Sequence, residues 1–230
     1  MQENKTLDIT GIVPVYNEEK FLEHSIMRLI NAKVVDKIII IDDSSTDKSP
    51  IIIDKLAEQF QSIKSYKTPH NLGKGGAVNF IKHNISTSYV VIHDADLEYY
   101  PYDIFSLKEK INPNKPTFVI GSRFIGDTHP QHYIRTFFAN KFLSKLFSLK
   151  NKTKVSDIAS CYKLFPSDFF KNTNFLSNGF EFEVEIVAKF LKYSKNLHEC
   201  GISYKSRTYD EGKKIKFIDF FKYIYAIFKF

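Results

Sequence analysis

The sequence predicts an α/β fold, a mostly parallel sheet with helices on both faces. Three observations predict it. Short β-branched runs alternate with helical stretches through the first half, and strand, loop and helix in repetition build a parallel sheet covered on both sides. Those runs end in polar clusters, Asn17-Glu18, Asp42-Asp43 and Asp94-Ala95-Asp96. The composition, 43% hydrophobic and 26% charged over 230 residues, is that of a globular chain long enough to bury a core.

Ile9–Val13 reads as a short buried strand. A helix over Glu18–Asn31 follows, with Asn17 as its N-cap and Glu18-Glu19 in its first turn. Lys37–Ile41 is a β-branched run, hence a buried strand, and Thr46–Phe60 is helical. Ile63–Lys67 is a weaker strand. A glycine-rich turn, His70 to Gly76, opens a helix to about Ile85. Tyr89–His93 and Thr117–Gly121 are strands. The second half is less regular. Ile134–Leu149 is an amphipathic helix carrying Phe137, Phe138, Phe142, Leu146 and Phe147; Phe182–Tyr193 is a helix, Leu197–Tyr204 a strand, and Ile215–Phe228 a terminal helix apolar around much of its circumference. Residues 1–230 are read as one domain with two halves.

Charge divides those halves. Residues 1–128 carry 15 basic against 17 acidic side chains, and residues 129–230 carry 18 against 9. A basic second half meets something anionic: phospholipid, a phosphorylated substrate or nucleic acid. No nucleic-acid module is visible, and binding to nucleic acid leaves the acidic loops unexplained. Two cysteines make no disulfide framework, which fits a reduced cytosolic setting. The opening residues Met1–Lys5 lack the apolar core of a signal peptide, and no run approaches the roughly 20 apolar residues a membrane span needs. The expectation is a peripheral protein on the cytoplasmic face of a membrane. Its terminal helix either lies in the interface with lysines toward headgroups or covers the core.

In a parallel sheet, ligands bind beyond the carboxyl ends of the strands. The polar clusters sit there and are expected to converge on one crevice. Asp94 and Asp96, one residue apart at a strand end, offer oxygen ligands to a hard dication such as Mg²⁺ or Mn²⁺, with Glu98 near enough to join them. A polar turn is the competing reading. Asp42 and Asp43 can accept hydrogen bonds from a base or ribose, whereas Ser45, Thr46 and Asp47 read as helix caps. Asn71-Leu72-Gly73-Lys74-Gly75-Gly76 lacks the spacing of a P-loop and reads first as a structural turn. Arg123, Arg135 and Arg207 are three of only four arginines in a lysine-rich chain, and guanidinium grips phosphate with paired donors. Glu181, Glu183 or Glu185 can serve as a general base or simply charge a helix start.

Together these segments resemble the family 2 glycosyltransferases of GT-A (Rossmann-like) fold, in particular the dolichyl- or polyprenyl-phosphate mannosyl- and glucosyltransferases. The matching stretches begin with Val13-Pro14-Val15-Tyr16-Asn17-Glu18-Glu19, Ile41 to Asp47, Asn71 to Ala77 and His93 to Tyr99. They continue with Gly121-Ser122-Arg123-Phe124, Asp157 to Lys163, Gly179 to Glu183 and Arg207 to Ile215, so that residues 9 to 226 are covered in order. The resemblance implies roles. Pro14, Tyr16, Glu18 and Asp43 would bind the nucleoside of a nucleotide sugar, with Lys74 near its ribose and phosphates. Asp94, Asp96 and Glu98 would hold Mg²⁺ or Mn²⁺ and the donor diphosphate. Arg123, Arg135 and Arg207 would grip the phosphate of a polyprenyl acceptor, and Asp94, Asp96, Arg123 and Arg207 would carry the inverting displacement. Gly212, Lys213 and Lys214 would belong to a lid. Glu98 departs from the glutamine of many relatives, and Ala139 stands where a small polar residue can assist. Some relatives append membrane helices, so a membrane-anchoring subunit is an expected partner.

A phosphate monoester is largely dianionic at neutral pH and needs positioning rather than a base. A sugar hydroxyl would need a base, and Glu181 or Glu183 would be that base. The sequence thus sets transfer to a lipid phosphate against transfer to a soluble sugar.

Overall fold

The computed structural model describes residues 7–126, 134–207 and 217–230. Within them one sheet is built from β1 (Ile9–Val15), β2 (Lys37–Asp42), β3 (Ile63–Lys67), β4 (Tyr89–Ile92), β5 (Phe118–Ser122), β6 (Lys163–Pro166) and β7 (Leu197–Gly201). Its order is β3-β2-β1-β4-β6-β5-β7. β1 to β4 run parallel, β6 is antiparallel to both of its neighbours, and β7 is parallel to β5. The helices are α1 (Leu22–Ala32), α2 (Ser49–Gln59), α3 (Gly73–Phe80), α4 (Asp103–Lys108), α5 (Ile134–Asn151), α6 (Ser167–Asn172), α7 (Phe182–Tyr193) and α8 (Phe217–Lys229). This is the mostly parallel α/β architecture of a GT-A fold.

The apolar runs explain the centre. In β2, Ile38 to Ile41 are all buried, as a strand with both faces covered requires. The chain builds outward from β1 to β2 and β3, then returns to the other side of β1 as β4. The carboxyl ends of β1, β2 and β4 therefore flank the point where strand order reverses, where a crevice opens in such sheets.

Several boundaries differ from the sequence reading, each for a physical reason. α1 begins at Leu22, not Glu18, and Asn17 is not its cap. Asn17 has a left-handed φ of 51°, and its Oδ1 accepts from the Thr46 amide at 2.8 Å. It ties the β1–α1 loop to the β2–α2 loop. α2 begins at Ser49 because the preceding loop is folded by side chains: Asp47 Oδ1 accepts from the Ser49 amide at 2.9 Å and Oδ2 from the Glu19 amide at 3.0 Å. α3 ends at Phe80, before a 3₁₀ turn at Lys82–Asn84. β6 was not anticipated. It is only four residues long, begins with a lysine and ends with a proline, so it carries little strand signal.

The glycine-rich turn serves packing. A Cβ on Gly75 would lie 2.4 Å from the Ser177 carbonyl oxygen and 2.6 Å from Phe182 Cβ. Glycine there lets α3 approach the 177–182 segment closely.

The two second-half helices divide unexpectedly. In α5, Leu143, Ser144 and Phe147 are buried, whereas Ile134, Phe138 and Phe142 are exposed. Those three share one helical stripe by their i, i+4, i+8 spacing. In α8, Tyr223, Ala226 and Ile227 face the core, while Ile218, Phe221, Tyr225 and Phe228 are exposed. α8 packs against α5 and α7, and Lys150 Nζ of α5 donates to the Ile227 carbonyl at 2.6 Å. The terminal helix thus covers core with one face and presents an apolar stripe with the other.

Candidate active site

The acids that follow β4 are held by cations from distant parts of the chain. Asp94 Oδ1 lies 2.8 Å from Lys74 Nζ, at the start of α3. Asp96 Oδ1 accepts from the Glu98 amide at 3.0 Å, and its Oδ2 is 2.8 Å from an Arg207 guanidinium nitrogen. Arg207 also reaches Glu18 Oε2 at 3.1 Å, and its own amide donates to Glu98 Oε1 at 2.7 Å. Glu98 Oε2 accepts from the Tyr204 hydroxyl at 2.8 Å. Glu18, Asp96 and Glu98, gathered around Arg207, are all nearly buried. The loops after β1 and β4 thus converge, as their positions in the sheet predict. The base of the motif is rigid: Ser25 Oγ donates to the Asp96 carbonyl at 2.8 Å. His93 is hydrogen-bonded to Tyr162 and Ser25, and burial lowers its pKa to about 4. The imidazole is neutral at pH 7.

Electrostatics set the two aspartates apart. Burial works against the Asp94 carboxylate, but the charge and hydrogen bond of Lys74, with Cys161 and His93, together bring the pKa below the ordinary value. Burial, then the charges of Asp94 and Glu98, push Asp96 up to about 8 against the pull of Arg207. The site thus gathers more carboxyl groups than its internal cations keep ionised. Among the described residues, no three His, Cys, Asp or Glu side chains already converge on one point for a metal. The donor set nonetheless fits a hard dication: it is carboxyl oxygen, crowded enough that Asp96 keeps a proton which a bound dication would replace. Asp94 and Asp96 are the residues that would hold it, with Glu98 beside them.

Asp43 has a different place. Its Oδ1 accepts from Thr68 Oγ1 at 2.9 Å and the Leu72 amide at 2.8 Å, and its Oδ2 accepts from the Gly73 amide at 2.8 Å. A buried carboxylate needs such donors, and here they fix the turn that presents Lys74. Pro14 is in β1, paired in register with Ile41. Tyr16 follows β1 and is partly exposed.

The arginines are not equivalent. Arg123, after β5, is bidentate to Asp157: Nε to Oδ2 at 2.7 Å and NH2 to Oδ1 at 2.8 Å. Asp157 is fully buried. The Arg123 guanidinium lies 5.1 Å from the Tyr204 ring centre, so Tyr204 stands between Arg123 and the Glu98–Arg207 cluster. Arg135 is exposed on the first turn of α5, a separate element. Gly212, Lys213 and Lys214 lie outside the described residues.

Tyr204 and Ser25 were missed, since nothing local marks a lone tyrosine or serine; Asp157 and Lys163 lie in one of the stretches that resemble the family, but no role was read for either. The three glutamates separate as well. Glu183 is buried between Lys74 Nζ at 2.9 Å and Lys163 Nζ at 2.7 Å. Glu185 accepts from the amides of Leu176 and Ser177. Glu181 Oε1 accepts from the Gly179 amide at 3.2 Å, and its buried Oε2 has no hydrogen-bond partner.

Comparison with known proteins fits this geometry. Residues 10–173 match the family described as glycosyl transferase family 2. The chain is 26% identical over 229 residues to a dolichyl-phosphate beta-glucosyltransferase of Trichomonas vaginalis, covering 90% of this chain and 68% of that protein. It is also 26% identical over 234 residues to a dolichol-phosphate mannosyltransferase of Pyrococcus furiosus, covering 97% and 64%. The chain therefore spans about two thirds of the length of these relatives. Among solved structures, it resembles glucosyl-3-phosphoglycerate synthase from Mycobacterium tuberculosis in complex with Mn²⁺, UDP-glucose and phosphoglyceric acid. That match has a TM-score of 0.72 at 18% identity and covers 96% of this chain and 79% of the other.

Proposed function

The chain belongs to glycosyl transferase family 2, and from that premise we propose that it transfers a hexose from a nucleotide sugar to a polyprenyl phosphate at a membrane surface, with inversion. The observation that carries this reading is the convergence of Glu18, Asp96 and Glu98 on Arg207, beside the Asp94–Lys74 pair, at the reversal point of the sheet.

In this reading Lys74 and Arg207 compensate charge as the donor diphosphate enters and departs. Asp94 and Asp96 would hold a hard dication, Mg²⁺ or Mn²⁺, which would supply charge neutralisation for the leaving diphosphate. Tyr204 orients Glu98 and gives Arg123 an aromatic face to rest on. Arg123, Arg135 and Arg207 receive the acceptor phosphate, and 1–230 acts as one domain with the acceptor half facing the lipid. The phosphate acceptor brings its own charge and needs no base, which suits a site whose Glu183 is taken by two ammonium groups. A sugar-hydroxyl acceptor would have to rely on Glu181, whose Oε2 is unpartnered.

The membrane part rests on α5 and α8. No described helix is long and apolar enough to cross a membrane. Their exposed aromatic stripes, with Lys145, Lys222 and Lys229 also exposed, suit an interface with anionic headgroups. A double variant, Phe138→Ser with Phe228→Ser, is expected to bind anionic phosphatidylglycerol vesicles about tenfold less or weaker still, with its melting temperature unchanged. Equal co-sedimentation would remove the membrane reading.

The function is tested by offering labelled GDP-mannose, UDP-glucose or UDP-N-acetylglucosamine to polyprenyl phosphate and to polyprenol, with Mg²⁺, Mn²⁺ or chelator. Label should enter the organic phase only with the phosphate and a dication. Labelling of soluble sugars alone, abolished by Glu181→Ala, would favour the hydroxyl acceptor.

A further inference from the structure

The buried charges behind the site form a chain that the reaction itself does not call for. Lys163 heads β6 and is fully buried. Its ammonium donates to the Ile158 carbonyl at 3.1 Å and to the Ser160 carbonyl, and it pairs with Glu183 Oε2 at 2.7 Å. Glu183, on the first turn of α7, is 1% exposed. Its other oxygen holds Lys74 Nζ at 2.9 Å, and the same Nζ is 2.8 Å from Asp94 Oδ1. One ammonium is therefore shared by two carboxylates, one of which is itself shared by two ammonium groups.

This arrangement explains a feature that a plain ion pair would not. Asp94 alone could hold Lys74, and would then offer little charge to anything else. Glu183 draws the ammonium partly away, and Lys163 limits how strongly it draws. We infer that Glu183 is a positioning residue that acts through Lys74 on the Asp94 carboxylate, and that its pair with Lys163 sets how much of the Lys74 charge Asp94 receives. This deepens the reading of Asp94 as a cation ligand and rests on it. Glu183 is then no general base: it is sealed from solvent and both of its oxygens are engaged.

The inference predicts that Mn²⁺ binding survives Lys163→Met but weakens when Glu183→Gln is added to it, which a purely structural role does not. Lys163→Met leaves Glu183 free to claim Lys74, so Asp94 is released and binding of Mn²⁺ in the presence of UDP should be unchanged or tighter. Glu183→Gln takes from the buried Lys163 the carboxylate it pairs with and leaves Lys74 to Asp94, and it should lower the melting temperature. The double variant Lys163→Met with Glu183→Gln removes one charge of each sign and should recover most of that loss. In it Lys74 has Asp94 alone, and Mn²⁺ should bind about tenfold more weakly or worse, the usual scale for losing support behind a metal ligand.

Mn²⁺ binding with UDP, followed by electron paramagnetic resonance on the full chain, reads the affinities. Crystal structures of the variants without added metal read the Lys74 position. Nζ resting on Asp94 alone in the double variant, with weak Mn²⁺ binding despite a recovered melting temperature, supports the inference. A recovered double variant that binds Mn²⁺ like the parent overturns it, as does weakening by Lys163→Met. A parent that binds no Mn²⁺ with UDP would refute the transferase reading instead, and the Lys74 position in the variants would still decide this inference.

Discussion

An Asp96→Asn protein is expected to lose about 100-fold or more in sugar transfer and, in the absence of a dication, to lose the decline in stability with rising pH that the parent shows. The loss follows from removing a carboxylate where several kcal/mol of charge stabilisation are needed. The change in pH dependence follows from the crowding. Burial and the Asp94 and Glu98 charges hold the Asp96 carboxyl at about 8, far above its ordinary value. The folded protein therefore keeps a proton there that the unfolded chain gives up near pH 4. Between about pH 4 and 8 the folded state binds more protons than the unfolded, so this group makes the metal-free parent less stable as pH rises. The amide carries no such titration. Its Oδ1 can still accept from the Glu98 amide, as the carboxylate does at 3.0 Å, while its Nδ2 faces the Arg207 guanidinium that Oδ2 meets at 2.8 Å, so the variant's curve is flatter with pH rather than uniformly higher. Thermal melts of both proteins in chelator from pH 5 to 8, beside the transfer assay, check both halves. A parent whose stability rises across that range would contradict the argument, and so would an asparagine variant with full turnover.

The second large effect concerns Asp157. Replacing it with alanine takes the bidentate carboxylate from a guanidinium that is only 7% exposed. Removing one partner of such a pair costs about 3–5 kcal/mol. In a chain of this size each kcal/mol moves the midpoint by roughly 2–4 °C, so a fall of about 10 °C is expected. A second loss adds to the first, because Asp157 Oδ2 also accepts from the Arg123 amide at 3.0 Å and so fixes the backbone after β5. Replacing the pair together, Arg123→Met with Asp157→Leu, should return much of the stability. If Arg123 meets the acceptor phosphate, transfer should stay low in that restored protein. Recovery of transfer along with stability would assign Arg123 to the scaffold alone.

What the sequence made legible was whatever a local pattern encodes. The isoleucine run of β2 and the apolar run of β4 announce buried parallel strands, and acids at their ends announce a crevice. Asp94 and Asp96 were legible for that reason. What stayed hidden is set by contacts across the chain. Arg207 meets Glu18 from 189 positions away, and no spacing rule reports that. Nothing local says that Lys163 is buried; Glu183 and two carbonyls surround it only in the folded chain. Asn17 looks like a helix cap because caps share its chemistry, yet its amide oxygen is spent on another loop. The aromatic residues of α5 announce a buried face, but Ile134, Phe138, Phe142 and Leu149 point outward, since composition cannot say which stripe the rest of the protein covers.

The order of the strands bears on self-association as well as on catalysis. An open sheet has two outer strands, here β3 and β7, whose unpaired amides and carbonyls invite further strands. β3 carries exposed lysines at positions 64 and 67, and β7 is five residues long with an exposed histidine. Charge and brevity make poor templates for strand addition. The margins of the sheet thus discourage polymerisation even though aromatic side chains are displayed elsewhere on the surface.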